Sequence, residues 1–116
     1  MTEWKRIKSE RIGSFDVVYE TTYETMHPSE CFDDVAYDID EIVRKIDSGI
    51  DEWFILRASV YLNGICLAKE SIGGLLYSDT SEVFTDGTAA DLLFLASAKV
   101  DKWLDDTGLS NSKVTW

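Results

Sequence analysis

The side chains that could carry nucleophilic or acid–base catalysis are few and scattered. His27 is the only histidine, and the two cysteines, Cys31 and Cys66, lie far apart in the sequence. A Ser–His or Cys–His pair would have to use His27, which the following Pro28 places in a predicted loop. The spacings typical of phosphate-binding loops, zinc sites and EF-hands do not occur. We therefore predict that the protein is not an enzyme and uses neither a cofactor nor a metal ion.

The carboxylates point to binding. With 22 acidic residues, pairs of carboxylates arise by chance, so they do not by themselves indicate a glycosidase-like acid and base. Six carboxylates fall between positions 30 and 41 with no Lys or Arg among them. On a helix this is one charge about every 3 Å, close to the phosphate spacing along one DNA strand. The predicted binding surface consists of Glu30, Asp33, Asp34, Tyr37, Asp38, Asp40 and Glu41.

This surface is predicted to lie on the outer face of an amphipathic helix from Glu30 to Asp47. Apolar residues recur there every three or four positions, carboxylates fill the first turns, and Arg44 and Lys45 occupy the last turn. The helical wheel places Tyr37 among the acids, where it could anchor a partner. The alternative is an ordinary solvated face whose charge serves solubility only.

The elements around this helix are predicted from their periodicity and turn residues. Alternation from Phe15 to Glu24 predicts a strand with one polar face. Two β-rich segments, 53–62 and 65–77, flank Asn63-Gly64, the strongest short signal of a two-residue hairpin. That turn predicts three cross-strand pairs: Leu62 with Ile65, Val60 with Leu67, and Arg57 with Glu70.

A second helix is predicted from Thr88 to about Asp106, opened by a capping box of Thr88 and Asp91. The element order is thus β-α-β-β-α. We predict an α+β fold with a small mixed three-stranded sheet and both helices packed on one face. Apolar side chains outside the predicted core form a second set of binding candidates, namely Trp53, Phe94 and Leu95.

Length and composition predict one domain, residues 1–116, in the cytoplasm. Hydrophobic residues at 45% exclude intrinsic disorder, and neither a membrane-spanning run nor a signal peptide occurs. Residues 1–11 form a basic N-terminal segment, and 109–116 are predicted to be a frayed tail or an edge strand. The net charge is −11, with −10 contributed by residues 12–56. Such a field repels nucleic acid and anionic membranes and attracts basic proteins.

In size, acidity and lack of catalytic residues the chain resembles the small inhibitory proteins of bacteriophages and mobile elements, including anti-CRISPR and anti-restriction proteins. The resemblance is to a class and assigns no residue. It implies a non-catalytic inhibitor that occupies the basic nucleic-acid-binding surface of a target protein, without binding nucleic acid directly. Two alternatives remain: an immunity protein against a basic nuclease toxin, and a small adaptor or structural subunit whose acidity only maintains solubility.

Overall fold

The structure is a computed structural model that describes residues 3–109 and 113–116. Within these residues the fold consists of one antiparallel sheet of four strands and two α-helices. The strand order in the sheet is the order in the chain, and short 3-10 turns occupy 28–30 and 80–84. The elements are β1 (Lys5–Ile12), β2 (Phe15–Tyr23), α1 (Ile39–Asp47), β3 (Glu52–Leu62), β4 (Ile65–Tyr77) and α2 (Thr88–Asp106).

The predicted mixed three-stranded sheet is wrong, although the α+β class agrees with the structure. Strand β1, which pairs with β2 along the sheet edge, is absent from the predicted elements. Six of its eight residues are polar or charged, so only Ile7 and Ile12 signal burial. The available signal was Gly13-Ser14, a two-residue turn of hairpin type between β1 and β2.

The prediction that both helices pack on one face is also wrong, because only α2 lies on the sheet. Strands β2 and β3 are antiparallel neighbours, so their connection needs no crossover helix. The predicted helix from Glu30 to Asp47 begins only at Ile39, where Asp38 is the N-cap. Residues 31–38 form turns and irregular structure that precede this cap.

The Asn63-Gly64 turn is confirmed. Both residues have positive φ, 49° and 83°, as a tight hairpin between twisted strands requires. Leu62 pairs with Ile65 as predicted, but an irregularity at Val60 shifts the register, so that Val60 pairs with Ala68 instead of Leu67.

The predicted pairing of Arg57 with Glu70 is wrong for the same reason. Ser71 lies opposite Arg57 on β4, and the Arg57 guanidinium contacts Glu20 of β2 at 2.9 Å. Glu70 instead pairs with Lys99 of α2 at 2.5 Å. This contact ties α2 to the sheet.

The hydrophobic core lies between α2 and one face of the sheet. The bounds predicted for α2 are confirmed, but its N-cap is Gly87 without a side-chain cap, so the Thr88–Asp91 capping box is wrong. Alternate residues of the central strands face α2 because side chains of a strand alternate between the two faces. The core contains Phe15, Val17, Tyr19, Phe54, Leu56, Ala58, Val60, Ala68, Val83, Ala89, Leu92, Ala96, Val100 and Leu104.

Described segments near both termini lie in the sheet or against it. Most of the predicted basic segment, from Lys5 onward, lies in β1. Thr115 accepts a hydrogen bond from the backbone of Ser14 at 2.7 Å, and the Trp116 ring lies 4.4 Å from that of Phe15. The predicted tail includes residues 110–112, which lie outside the described residues. Within 3–109 and 113–116, no helix is long and apolar enough to cross a membrane.

Candidate functional site

The connection between β2 and β3 projects from the end of the sheet and contains the predicted binding surface. We call residues 24–51 the arm. The backbone N–H of Glu24 donates to the carbonyl of Trp53 at 3.2 Å, so the two ends of the arm meet at the sheet. The molecule measures 53 × 29 × 24 Å, an elongated shape for a chain of this size.

Specific contacts at its base attach the arm to the sheet. Trp53 is only 6% exposed, and its indole Nε1 donates to the carbonyl of Met26 at 2.7 Å. Its ring lies 5.8 Å from that of Phe32. The Glu24 carboxylate accepts hydrogen bonds from the backbone N–H groups of Met26 and Gly74, each at 3.0 Å. The direction in which the arm leaves the sheet is therefore determined by these contacts.

Helix α1 lies on this arm with no buried residue. Its apolar side chains fall on one stripe, yet each keeps part of its surface in solvent. Amphipathic helices of globular proteins usually bury such a stripe in the core. The stripe consists of Ile39, Ile42, Val43 and Ile46.

Four of the six predicted carboxylates have structural partners within the arm. Glu30 accepts from the backbone of His27 at 3.1 Å, Asp33 from that of Val35 at 2.9 Å, and Asp38 caps α1 by accepting from Glu41 at 3.2 Å. The Glu41 carboxylate pairs with Arg44 at 2.6 Å, and the hydrogen bond from that guanidinium lowers the pKa of Glu41.

Asp34 and Asp40 are the remaining two predicted carboxylates. Both are exposed, and neither side chain has a hydrogen-bond or ion-pair partner within residues 3–109 and 113–116. Their charge is therefore available to a partner without breaking a contact within the chain.

A groove on the arm brings four of the seven predicted residues together: Asp34, Tyr37, Asp38 and Asp40. Tyr37 is 51% exposed, and its ring lies 5.0 Å from that of Phe32, which supports it from within the arm. Glu30, Asp33 and Glu41 do not line this groove. The groove presents carboxylates beside an aromatic ring, a combination suited to a basic side chain with an aliphatic stem.

Two apolar residues of the groove, Val35 and Ile39, are not among the predicted binding residues. The predicted helix from Glu30 to Asp47 would place both on its buried apolar stripe. Val35 instead lies in a turn and is 91% exposed, while Ile39 begins α1 and is partly exposed. The sequence positions of Val35 and Ile39 could not show that the two side chains are exposed, because helical periodicity predicts burial only where another element covers the helix.

The second set of predicted binding residues divides between two places. Trp53 forms the base of the arm, so its surface is largely used inside the molecule. Phe94 and Leu95 lie on the outer side of α2 and are 73% and 53% exposed. These two side chains belong to a different surface from the arm.

Residues considered for catalysis have local contacts instead of a shared site. His27 Nδ1 accepts the backbone N–H of Ser29 at 3.1 Å, and Cys31 Sγ lies 3.9 Å from Met26 Sδ. In the part of the chain that is described, no group of three His, Cys, Asp or Glu side chains could hold a metal ion. Comparison of the chain with protein-family models, with curated proteins and with solved structures gave no match.

Proposed function

We propose that the protein is a non-catalytic inhibitor whose arm binds the basic nucleic-acid-binding surface of a target protein, as anti-CRISPR and anti-restriction proteins do. The observation that carries the proposal is α1, an amphipathic helix without a buried residue, held outside the core on an acidic arm. The part of this apolar stripe that remains in contact with water costs free energy unless something else covers it.

Charge supports a basic partner. The arm has nine carboxylates and two basic side chains, a balance of −7 within a total of −11. Such a concentrated field attracts a basic surface over about a Debye length, roughly 8–10 Å at physiological salt. The same field disfavours direct contact with nucleic acid. Association is thus accelerated toward proteins that themselves bind nucleic acid.

The groove supports a specific mode of contact. A Lys or Arg side chain of the partner would place its charge between Asp34 and Asp40 and its aliphatic stem against Tyr37, Val35 and Ile39. A tyrosine supported by a second ring loses little conformational freedom when it binds, which favours it as an anchor. Charge would increase the association rate, and the anchor would slow dissociation.

An immunity protein against a basic nuclease toxin would use the same surface, and the identity of the captured partner separates the two functions. An adaptor whose acidity serves only solubility would bind through other surfaces. The exposed pair Phe94 and Leu95 supports that alternative.

The test combines Asp34→Lys with Asp40→Lys. These two carboxylates have no partner in the described part of the chain, so the Asp38 cap is kept, and amide hydrogen exchange over 39–47 checks that α1 tolerates the loss of the Asp40 charge from its first turn. The parent protein is first used to capture its partner from host lysate, and binding of the purified pair is then followed by surface plasmon resonance. At low salt we expect the association rate to fall about tenfold or more. The parent should also release nucleic acid from that partner.

The matched control is Glu3→Lys combined with Asp105→Lys, which changes the net charge equally at exposed positions outside the arm. Circular dichroism and a cooperative melt verify folding of both variants. The proposal requires the arm variant to bind much more slowly than the control. Equal association rates for the two variants would show that total charge, and not the arm, controls binding. A captured partner without a basic surface would contradict the proposed target class.

A further inference from the structure

We propose that the outer face of α2 binds a second copy of this chain, forming an antiparallel two-fold helix pair. The core side of α2 is occupied by the sheet, through Ala89, Leu92, Ala96, Val100 and Leu104. The opposite side exposes Leu95, which is 53% exposed, and Ala98; Phe94, which is 73% exposed, precedes Leu95 by about 100° of helix rotation and lies at the edge of this side. This inference does not depend on the function proposed for the arm.

Two exposed side chains of opposite charge lie on either side of this apolar centre. Asp91 lies on the N-terminal side of the apolar centre, and Lys102 lies on its C-terminal side, eleven residues after Asp91. Eleven residues are about three helical turns, so both side chains fall on the same side of the helix as Leu95 and Ala98. The side chains of Asp91 and Lys102 are both exposed. Lys102 makes only a surface ion pair, with Asp106 at 3.3 Å. Such a surface pair is easily exchanged for another.

An antiparallel pair with its two-fold axis at the midpoint of Asp91 and Lys102 satisfies these charges. Asp91 of each copy then faces Lys102 of the other, and Leu95 faces Ala98 across the axis. Asp105 falls opposite Thr88, so no carboxylate lies directly opposite it. A parallel pair would place Asp91 against Asp91 and Lys102 against Lys102, which is unfavourable. Charge complementarity thus selects a second copy in one orientation.

The contact is limited in size, and this sets the expected affinity. A 19-residue helix is about 28 Å long, and one helix pair buries less surface than the roughly 1,200–2,000 Å² of a stable interface. We expect a weak dimer with a dissociation constant on the order of 10–100 µM. Sedimentation velocity ultracentrifugation over a concentration series measures it directly.

Two tests locate the interface. Leu95→Lys should raise the dissociation constant about tenfold or more, because it places two charges at the apolar centre. The matched control is Ile65→Lys, the same type of change at an exposed position in the β3–β4 hairpin, and it should leave the dimer unchanged. If the parent protein stays monomeric up to about 1 mM, the proposal is overturned. A Leu95→Lys protein that dimerises like the parent also overturns it.

A charge exchange tests the antiparallel register. Asp91→Lys alone and Lys102→Glu alone should each be monomeric, since each brings like charges together twice across the two-fold axis. A mixture of the two variants should form a heterodimer with an affinity within about threefold of the parent, because every facing pair is again opposite in charge. Absence of association in the mixture would overturn the proposed antiparallel pair.

Discussion

Ser59 lies on β3 with its side chain fully buried, and its hydroxyl has no hydrogen-bond partner within residues 3–109 and 113–116. It stands on the sheet face opposite the core, flanked across the strands by Val18 and Lys69. A buried hydroxyl without a partner loses its hydrogen bonds to water and gains none in return. We therefore expect the native serine at this position to lower the stability of the fold.

Ser59→Ala should raise the free energy of unfolding by about 1 kcal/mol. The change removes the unpaired hydroxyl and leaves the backbone pairing of β3 intact. Urea denaturation followed by tryptophan fluorescence measures the effect. The control is Ser71→Ala on β4, where the serine is exposed and the expected change is close to zero. A clear loss of stability in Ser59→Ala would mean that the hydroxyl has a favourable partner.

The two helices are stabilised by different interactions. Helix α2 contributes five buried residues to the core, whereas α1 contributes none and relies on its cap and its dipole. Asp38 at the N-cap, two acids in the first turn and two basic residues in the last turn all favour a short isolated helix. A nine-residue helix remains marginal without packing.

Asp38→Ala should therefore unfold α1 without lowering the melting temperature of the domain. Loss of the cap costs about 0.5–2 kcal/mol of helix stability, and no buried contact of α1 transmits that loss to the core. Amide hydrogen exchange should speed up over 39–47 only. In comparison, Leu104→Ala on α2 should lower the free energy of unfolding of the whole domain by about 2–5 kcal/mol. If Asp38→Ala lowered the stability of the domain as much as Leu104→Ala, α1 would unfold together with the core.

The whole molecule consists of a core domain and an arm that inserts between two adjacent strands. Every residue of the hydrophobic core lies outside the arm, and Tyr23 pairs with Phe54 where β2 and β3 meet at its base. Antiparallel neighbours of this kind can be joined by a short hairpin. The geometry therefore separates folding, which the core provides, from the binding function proposed for the arm.

Replacing residues 26–51 with a four-residue glycine-containing loop should leave a folded core. Trp53→Thr is included because removal of the arm would expose the indole. We expect one cooperative thermal transition and a change in the free energy of unfolding below about 2 kcal/mol, since the shorter loop costs less entropy to close. Calorimetry measures both. A molten or unfolded product would show that the arm contributes to the core after all.

Local interactions determined the parts of this protein that the sequence predicted correctly. Asn63-Gly64 specifies its turn through the φ values these two residues tolerate, and α2 follows from periodicity over 19 residues. The acidity of the segment now seen as the arm is likewise a property of composition. None of these features depends on which distant element lies nearby.

Tertiary structure alone decided the remaining features, because each depends on contacts between distant residues. The edge strand β1 forms by pairing with β2 although few of its residues are apolar. The periodicity of α1 predicts a buried stripe, yet each residue of that stripe stays partly exposed, whereas Trp53 is buried because the base of the arm covers it. A periodic pattern shows which face of a helix can be buried. Whether that face meets the core or solvent depends on the packing of the whole chain.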